Sequence, residues 1–169
     1  MKFIILNGPS CVGKSTIVNA IMSEKEKYYK LSNDSQKWLF YKYDRKTHHE
    51  DVRTIQRSLA ETVCEMKYNI ICDSALHGEN RHKLLSIPAK HEYEIIEINL
   101  EADYAILVDR FDERVRNFLQ KDIKISNTSK ERFKEIFDIY QTEKNDSAIT
   151  FRTDTQKQEE IIQKILQLL

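Results

Sequence analysis

The stretch that decides the fold is Gly8-Pro9-Ser10-Cys11-Val12-Gly13-Lys14-Ser15, which matches the pattern GxxxxGK[ST] in full. The run Phe3-Ile4-Ile5-Leu6 before it has the composition of a strand buried on both faces. After it, apolar residues recur with helical spacing at Ile17, Val18, Ile21 and Met22. A strand, a glycine loop and a helix in this order are the context in which the motif forms a phosphate-binding loop.

Such a loop offers consecutive backbone N–H groups to an anion at a helix N-terminus, where the helix dipole also favours negative charge. We expect Lys14 to reach the β and γ phosphates of a nucleoside triphosphate and the Ser15 hydroxyl to bind Mg²⁺. The expected nucleotide contacts are Gly8, Ser10, Cys11, Val12, Gly13, Lys14, Ser15 and Thr16. The predicted cofactors are therefore ATP or GTP, with Mg²⁺.

The remaining pattern alternates strands with helices along a single predicted domain, residues 1–169. Further strands are predicted at 30–33, 69–72, 93–98 and 148–151. Helices are predicted at 54–66, 80–89, 102–118, 130–141 and 156–169. Because parallel strands need crossover helices, this alternation predicts an α/β fold with a doubly wound parallel sheet.

Composition excludes several classes of protein. Lys plus Arg and Asp plus Glu both number 27, so no global attraction to nucleic acid or to an anionic membrane is expected. No apolar run reaches the roughly 20 residues that span a bilayer, and the three cysteines show no CxxC spacing. We expect a cytoplasmic protein with no membrane partner. Residues 110–134 are locally basic, with eight basic and four acidic side chains.

A carboxylate follows the second buried strand, in Ile70-Ile71-Cys72-Asp73. If this strand neighbours the first, Asp73 lies beside the phosphate loop, where an Asp organises Mg²⁺. The next residue is Ser74, whereas motor ATPases usually carry Glu there. The [NT]KxD motif of GTPases has its nearest match in Glu143-Lys144-Asn145-Asp146, which lacks the first residue. Both absences favour transfer to an acceptor over hydrolysis.

Taken together, these features resemble the small phosphate-loop kinases that include 5′-hydroxyl polynucleotide kinases and chloramphenicol phosphotransferases. The resemblance runs over Lys2 to Thr16, Asn33-Asp34, Asp73 with Glu79 and Arg81, the pair Arg110 and Arg114, and Thr153-Asp154-Thr155. It implies a three-layer phosphate-loop NTPase sandwich of the nucleoside-monophosphate-kinase type. It also implies a phosphotransferase with an alcohol group as acceptor.

The same resemblance implies roles for single residues. Asp34 would activate the acceptor hydroxyl, and Arg81 is a candidate to orient the acceptor. Arg110 and Arg114 would contact the triphosphate from a lid at about residues 110–130, with Arg116 as a further candidate. Asp154 and Thr155 would border the nucleotide base.

Alternatives remain for most of these residues. Asp34 precedes a stretch, 35–40, with helical character, and a helix-capping Asp would look the same. The arginines 110, 114 and 116 could form a solvated helix face, and Arg81 could pair with Glu79 or Glu50. His48-His49-Glu50-Asp51 invites a metal site, but adjacent residues of a helix face different ways, so solvated surface is favoured.

The acceptor itself is left open by the sequence. A hydroxyl of a small molecule or nucleoside fits the zero net charge. A nucleic-acid 5′-hydroxyl fits the resemblance and the basic segment 110–134. A nucleotide-dependent switch without any acceptor is the alternative from another class of protein.

Overall fold

The computed structural model describes residues 1–74, 76–121 and 129–169. The strands are β1 (Lys2–Asn7), β2 (Tyr28–Leu31), β3 (Asn69–Cys72), β4 (Glu94–Glu101) and β5 (Ile149–Arg152). The helices are α1 (Lys14–Glu24), α2 (Asn33–Lys37), α3 (Arg45–Glu65), α4 (Gly78–Lys90), α5 (Tyr104–Lys121), α6 (Lys130–Glu143) and α7 (Gln158–Leu168). Within these ranges no helix is both long and apolar enough to cross a membrane.

The five strands form one sheet in the order β2-β3-β1-β4-β5, and every neighbouring pair is parallel. β1 lies at the centre, with Ile4 opposite Ile71 of β3 and Ile96 of β4. Because the carboxyl ends of parallel strands meet at one edge, the loops after β1, β2 and β3 converge there. The predicted α/β fold with a parallel sheet is confirmed.

Helices cover both faces of the sheet, and the side chains of β1 alternate between them. Phe3 and Ile5 pack into one core with apolar residues of α3 and α4, namely Ala60, Val63, Cys64 and Leu84. Ile4 and Leu6 pack into a second core with residues of α1, α5, α6 and α7, namely Ile17, Ile21, Phe111, Phe133, Ile161 and Ile165. The continuous apolar run of β1 is therefore explained by burial on two faces.

The largest error in the predicted boundaries lies in the segment between β2 and α3. β2 ends at Leu31 instead of residue 33, and α2 ends at Lys37, so residues 38–40 form a turn instead of a helix. α3 begins at Arg45, nine residues before the predicted start, because the Asp44 side chain accepts a hydrogen bond from the Lys46 N–H (3.0 Å) and caps the helix.

Two glycines fit the phosphate loop into the sheet for different reasons. Gly8 has φ +152°, and a Cβ atom there would lie 2.6 Å from the Leu100 carbonyl oxygen and 2.8 Å from Val12 Cγ1. Gly13 has φ +100° as the N-cap of α1 but has open space around it. Gly8 is thus required by a close approach to β4, and Gly13 by its backbone conformation alone.

Gly8→Ala should lower the free energy of unfolding by about 1 to 3 kcal/mol more than Gly78→Ala, because only Gly8 lacks room for a methyl group. Gly78 is the matched control, since it also has positive φ, at +51°, yet no atom within 4 Å of the added carbon. Urea denaturation of the two variants measures the difference. Equal losses would show that the loop is not packed against β4 in this way.

Candidate active site

The phosphate loop joins the end of β1 to the start of α1. The first turn of α1 contains no acidic residue, and no side chain of its N-cap forms a capping hydrogen bond. The N–H groups of this turn therefore point out of the helix without a protein side chain to satisfy them. Together with the dipole of α1, they form a binding site suited to a phosphate group.

Lys14 lies folded against its own loop. Its Nζ donates hydrogen bonds to the carbonyl oxygens of Gly8 and Pro9, both at 2.7 Å. Burial lowers the pKa of the Lys14 ammonium from 10.5 to about 8, and the carboxylates of Asp73 and Asp34 oppose this shift. A bound phosphate would add negative charge beside the ammonium, so it would favour the charged form and raise this pKa.

Asp73 and Ser15 meet because β3 is the direct neighbour of β1. The Ser15 hydroxyl donates to Asp73 Oδ2 over 3.4 Å, and Lys30 Nζ lies 3.7 Å from the same oxygen. Adjacent oxygen ligands of octahedral Mg²⁺ lie about 3 Å apart, so this pair has a fitting separation. No described cluster of three His, Cys, Asp or Glu could hold a metal. Two protein oxygens suit Mg²⁺, which keeps water and phosphate as its other ligands.

A cavity of about 720 Å³ extends from the phosphate loop to α3 and α6. It brings together the expected residues Lys14, Asp34, Asp73, Arg110 and Arg114. Its other walls come from the loop, from residues after β2, from α3 and from α6, including Trp38, Tyr43, Arg45, His49, Arg53, Arg132, Ile136 and Ile139. A triphosphate on the loop would fill one end, which leaves the α3 end for a second compound.

Asp34 is held at this cavity by the residue that follows Asp73. The Ser74 hydroxyl accepts hydrogen bonds from the Asn33 N–H and from Gln56 Nε2, both at 2.8 Å. These bonds tie the start of α2 to the end of β3. The Asp34 carboxylate pairs with Lys37 at 2.6 Å, and the N-cap of α2 is Ser32. Asp34 is therefore not the helix cap that the sequence allowed.

The two arginines of α5 differ in their attachments. Arg110 donates to the Thr153 hydroxyl (3.0 Å) and to the Thr153 carbonyl oxygen (2.8 Å). Arg114, one turn further along, lines the cavity but forms no hydrogen bond or ion pair with residues in 1–74, 76–121 or 129–169. Residues 122–128 of the predicted lid lie outside the described residues. Of the two side chains, Arg114 is the better placed to respond to a bound phosphate.

Two predicted site residues, Arg81 and Asp154, have partners away from the cavity, and a third, Thr155, is exposed. Arg81 donates to Glu97 of β4, so neither expected partner is correct, since Glu79 pairs with Lys83 and Glu50 with Arg57. The Asp154 carboxylate is bound by Arg152 and by the Asp103 N–H, which lowers its pKa to about 2. Arg81, Asp154 and the exposed Thr155 are absent from the lining of the cavity. The role of Arg81 toward the acceptor and those of Asp154 and Thr155 toward the nucleotide base remain predictions that this geometry does not favour.

Sequence reasoning missed the basic side of the cavity. Arg45, His49 and Arg53 line it from α3, and their spacing of four residues places them on one helix face. That spacing was readable, but the predicted start of the helix at residue 54 hid it. His49 therefore lies at the cavity. Its neighbour His48 does not line the cavity and accepts a hydrogen bond from the Asp44 N–H (2.9 Å).

Comparison with known proteins agrees with this arrangement. A family model described as an AAA domain matches residues 3–139. The chain belongs to this AAA domain family. Its fold is that of the phosphate-loop kinases. A presumed kinase from Chloroflexus aurantiacus has a similar structure, with a TM-score of 0.75, 18% identity, and 99% of this chain and 98% of that chain covered.

Two further structures share the fold of this AAA domain protein. A gluconokinase from Sinorhizobium meliloti has a TM-score of 0.63 and 15% identity, and the match covers 98% of this chain and 90% of that chain. One chain in the structure of the Pnkp1/Rnl/Hen1 RNA repair complex has a TM-score of 0.62 and 17% identity. The match covers 83% of this chain and 44% of that chain. No curated protein matches the sequence significantly.

Triphosphate affinity should fall as pH rises through 8, by up to about tenfold per pH unit, because free Lys14 has a pKa of about 8 and the bound form a higher one. Calorimetry with Mg²⁺ present, in buffers of different ionisation enthalpy at pH 9, should detect uptake of up to one proton per nucleotide. Lys14→Ala is the control and should lose both the uptake and most of the affinity. Constant affinity from pH 7 to 9.5 would contradict the assigned role of Lys14.

Proposed function

We propose that the protein is a kinase that transfers the γ-phosphoryl group of ATP or GTP to a hydroxyl of a small molecule or nucleoside. The observation that carries this proposal is the position of Asp34. Asp34 lines the same cavity as Lys14, Asp73 and Arg114, and its carboxylate is close enough to Lys14 to act on the charge of the ammonium. A carboxylate there can take the proton of an attacking hydroxyl.

The transfer would use the described side chains as follows. The acceptor oxygen forms a bond to the γ phosphorus while the bond from that phosphorus to the β,γ-bridging oxygen breaks and leaves a nucleoside diphosphate. Asp34 receives the hydroxyl proton. Lys14 and Arg114 stabilise the negative charge of the transferring group. Mg²⁺ held by Ser15 and Asp73 would supply further neutralisation of phosphate charge.

Hydrolysis fits the site less well than transfer. Ser74 occupies the position at which a motor ATPase usually carries the Glu that acts as the catalytic base toward water. The Ser74 hydroxyl already accepts two hydrogen bonds. The switch alternative would not require the charged space beyond the phosphate loop, between α3 and α6. Similarity to a gluconokinase supports a kinase at the level of the fold.

A small acceptor is favoured over nucleic acid by the pairing of the basic segment. Lys130 pairs with Asp112 at 2.8 Å, Lys134 with Asp138 at 2.6 Å, and Arg132 with Glu135. These partners reduce the positive potential that the sequence predicted for residues 110–134, while Lys121 and Lys124 have no described side chain. The polynucleotide alternative has support from the RNA repair complex only through its fold.

The three unpaired cysteines agree with the proposed cytoplasmic location.

The acceptor is found by incubating the protein with γ-labelled ATP or GTP and Mg²⁺ against pooled hydroxyl compounds. The pools hold nucleosides, sugars and sugar acids, antibiotics of the aminoglycoside and chloramphenicol types, and oligonucleotides with a free 5′-hydroxyl. Label in an organic product supports the kinase. Tight triphosphate binding with no transfer to any pool favours the switch.

Asp34→Asn should lower the rate of transfer by about 10² to 10⁴, or roughly 3 to 5 kcal/mol in activation free energy, because the amide keeps the shape but cannot take a proton. Nucleotide affinity and the thermal midpoint should stay close to those of the wild type. Asp51→Asn, an exposed residue of α3 outside the cavity, is the matched control. Single-turnover transfer at the wild-type rate in Asp34→Asn would remove Asp34 from the mechanism.

Arg114→Ala should reduce kcat by about 10² to 10³ and change nucleotide affinity by less than about fivefold, because its guanidinium acts on charge that develops during transfer. Arg116→Ala provides the control, since Arg116 is exposed on the same helix and does not line the cavity. Steady-state kinetics with calorimetric nucleotide binding separates the two effects. A kcat within about threefold of the wild type, under roughly 1 kcal/mol, would assign Arg114 to the solvated face of α5.

A further inference from the structure

The face of α3 that borders the cavity carries a row of nitrogen-bearing side chains, Arg45, His49 and Arg53. The Asp44 cap starts the helix at Arg45, so residues 45, 49 and 53 follow one another at intervals of about one turn. Asp34 and Lys37 of α2 line the same cavity, and the charge of Lys37 acts on His49. We call Arg45, His49 and Arg53 the basic row.

Several polar groups at the basic row lack protein partners. Arg45 forms no hydrogen bond or ion pair with the described part of the chain, and the only ion-pair partner of Arg53 there is Glu50, at 3.6 Å. The Nδ1 atom of His49 and the hydroxyl of Tyr43, which also lines the cavity, are buried and have no hydrogen-bond partner among the described residues. Since buried polar groups are nearly always paired, the two buried atoms of His49 and Tyr43 at one cavity wall indicate a ligand site, beside which the exposed Arg45 is free to contact a ligand.

The charge of this wall indicates the sign of that ligand. Burial lowers the pKa of His49, and the nearby cations Arg53, Arg45 and Lys37 lower it further. All three cations are therefore close enough to His49 to disfavour its charged form. Lys37 has Asp34 as a partner, whereas Arg45 and the loosely paired Arg53 supply positive charge that an anion could neutralise.

We infer that the phosphoryl acceptor is a small hydroxyl compound that also carries a phosphate or carboxylate group, bound by the basic row while its hydroxyl faces Asp34. This inference rests on the proposed kinase activity and narrows its acceptor. Guanidinium groups match the planar or tetrahedral oxygens of such anions with two parallel hydrogen bonds. The two anchor points, anion and hydroxyl, would hold the attacking oxygen in line with the γ phosphorus.

The surroundings of the basic row favour a compact anion over a long one. Glu50 and Asp51 lie exposed on α3 beside the row, and Glu135 and Glu143 line the cavity from α6. The apolar side chains Ile136 and Ile139 form part of the α6 wall. These carboxylates would repel the many charges of a chain of phosphates more strongly than a single anionic group.

The first test measures binding of inorganic phosphate to protein whose phosphate loop is saturated with a non-hydrolysable ATP analogue and Mg²⁺. We expect one additional phosphate site by ³¹P NMR titration. Arg45→Gln combined with Arg53→Gln should weaken this site at least tenfold without changing affinity for the analogue. Lys46→Gln removes one charge from the same helix outside the cavity and should change phosphate affinity by less than twofold.

The second test compares kcat/KM for matched acceptors, such as glycerol with glycerate and glycerol 3-phosphate, and nucleosides with their 3′-monophosphates. The anionic members should be preferred at least tenfold, and the Arg45→Gln, Arg53→Gln variant should lose that preference. Carboxylate and phosphate members distinguish the two anion types. Equal use of neutral compounds, transfer to oligonucleotides alone, or a preference that survives in the variant would overturn the inference.

The two tests separate this inference from the kinase proposal. Phosphate binding that depends on Arg45 and Arg53, with no transfer to any compound, would uphold the anion site and refute only the kinase. Transfer to neutral acceptors, with no additional phosphate site, would refute the anion site and leave the kinase intact. A variant that unfolds is recognised by its loss of analogue binding, and single Arg45→Gln and Arg53→Gln variants then replace it.

Discussion

The parallel pairing of β1 with β3 is the constraint on which the site depends. Its register places Ile5 opposite Cys72, so the phosphate loop and Asp73 both begin where these two strands end. The Ser15 hydroxyl and the Asp73 carboxylate are thereby brought within 3.4 Å, although 58 residues separate them. A loop that binds phosphate and a carboxylate that suits Mg²⁺ become one site only through this pairing.

A single buried hydroxyl, that of Ser74, connects that site to the part of the cavity where we propose that an acceptor binds. Ser74 links β3 to the start of α2 and to Gln56 of α3 through two hydrogen bonds of 2.8 Å. Gln56 and Ser74 are both buried, where hydrogen bonds are shielded from water. The position of Asp34 therefore depends on the end of β3, the strand that Asp73 directly follows. Ser74, which replaces the Glu of motor ATPases, thus also joins β3 to α2 and α3.

Much of the fold could be predicted from the sequence, because β1, β3 and the phosphate loop have strong local patterns. The adjacency of Asp73 and the loop followed from strand order, which the alternation of elements indicated. The basic row was not predicted, because Arg45 to Asp51 is polar and offers no apolar period. Its helix depends on the Asp44 cap and on tertiary packing of α3 against α4 and β3. The bond from Arg81 to Glu97, 16 residues apart, and the bond from the Asp103 N–H to Asp154, 51 residues apart, were equally inaccessible.

The anchoring of Ser74 also has a consequence for how such a protein diversifies. The bond to the Asn33 N–H fixes the first residue of α2, while residues 38–53 reach the cavity from a turn and a new helix that carry no part of the phosphate loop. No residue of that segment takes part in the hydrogen bonds that join Ser74 to Asn33 and Gln56. The proposed catalytic residues and the proposed acceptor-binding residues thus lie on separate segments of backbone, which are joined through Ser74. In the proposed kinase, substitutions in this segment would change the acceptor that is bound and leave the spacing of Asp34, Asp73 and Lys14 in place.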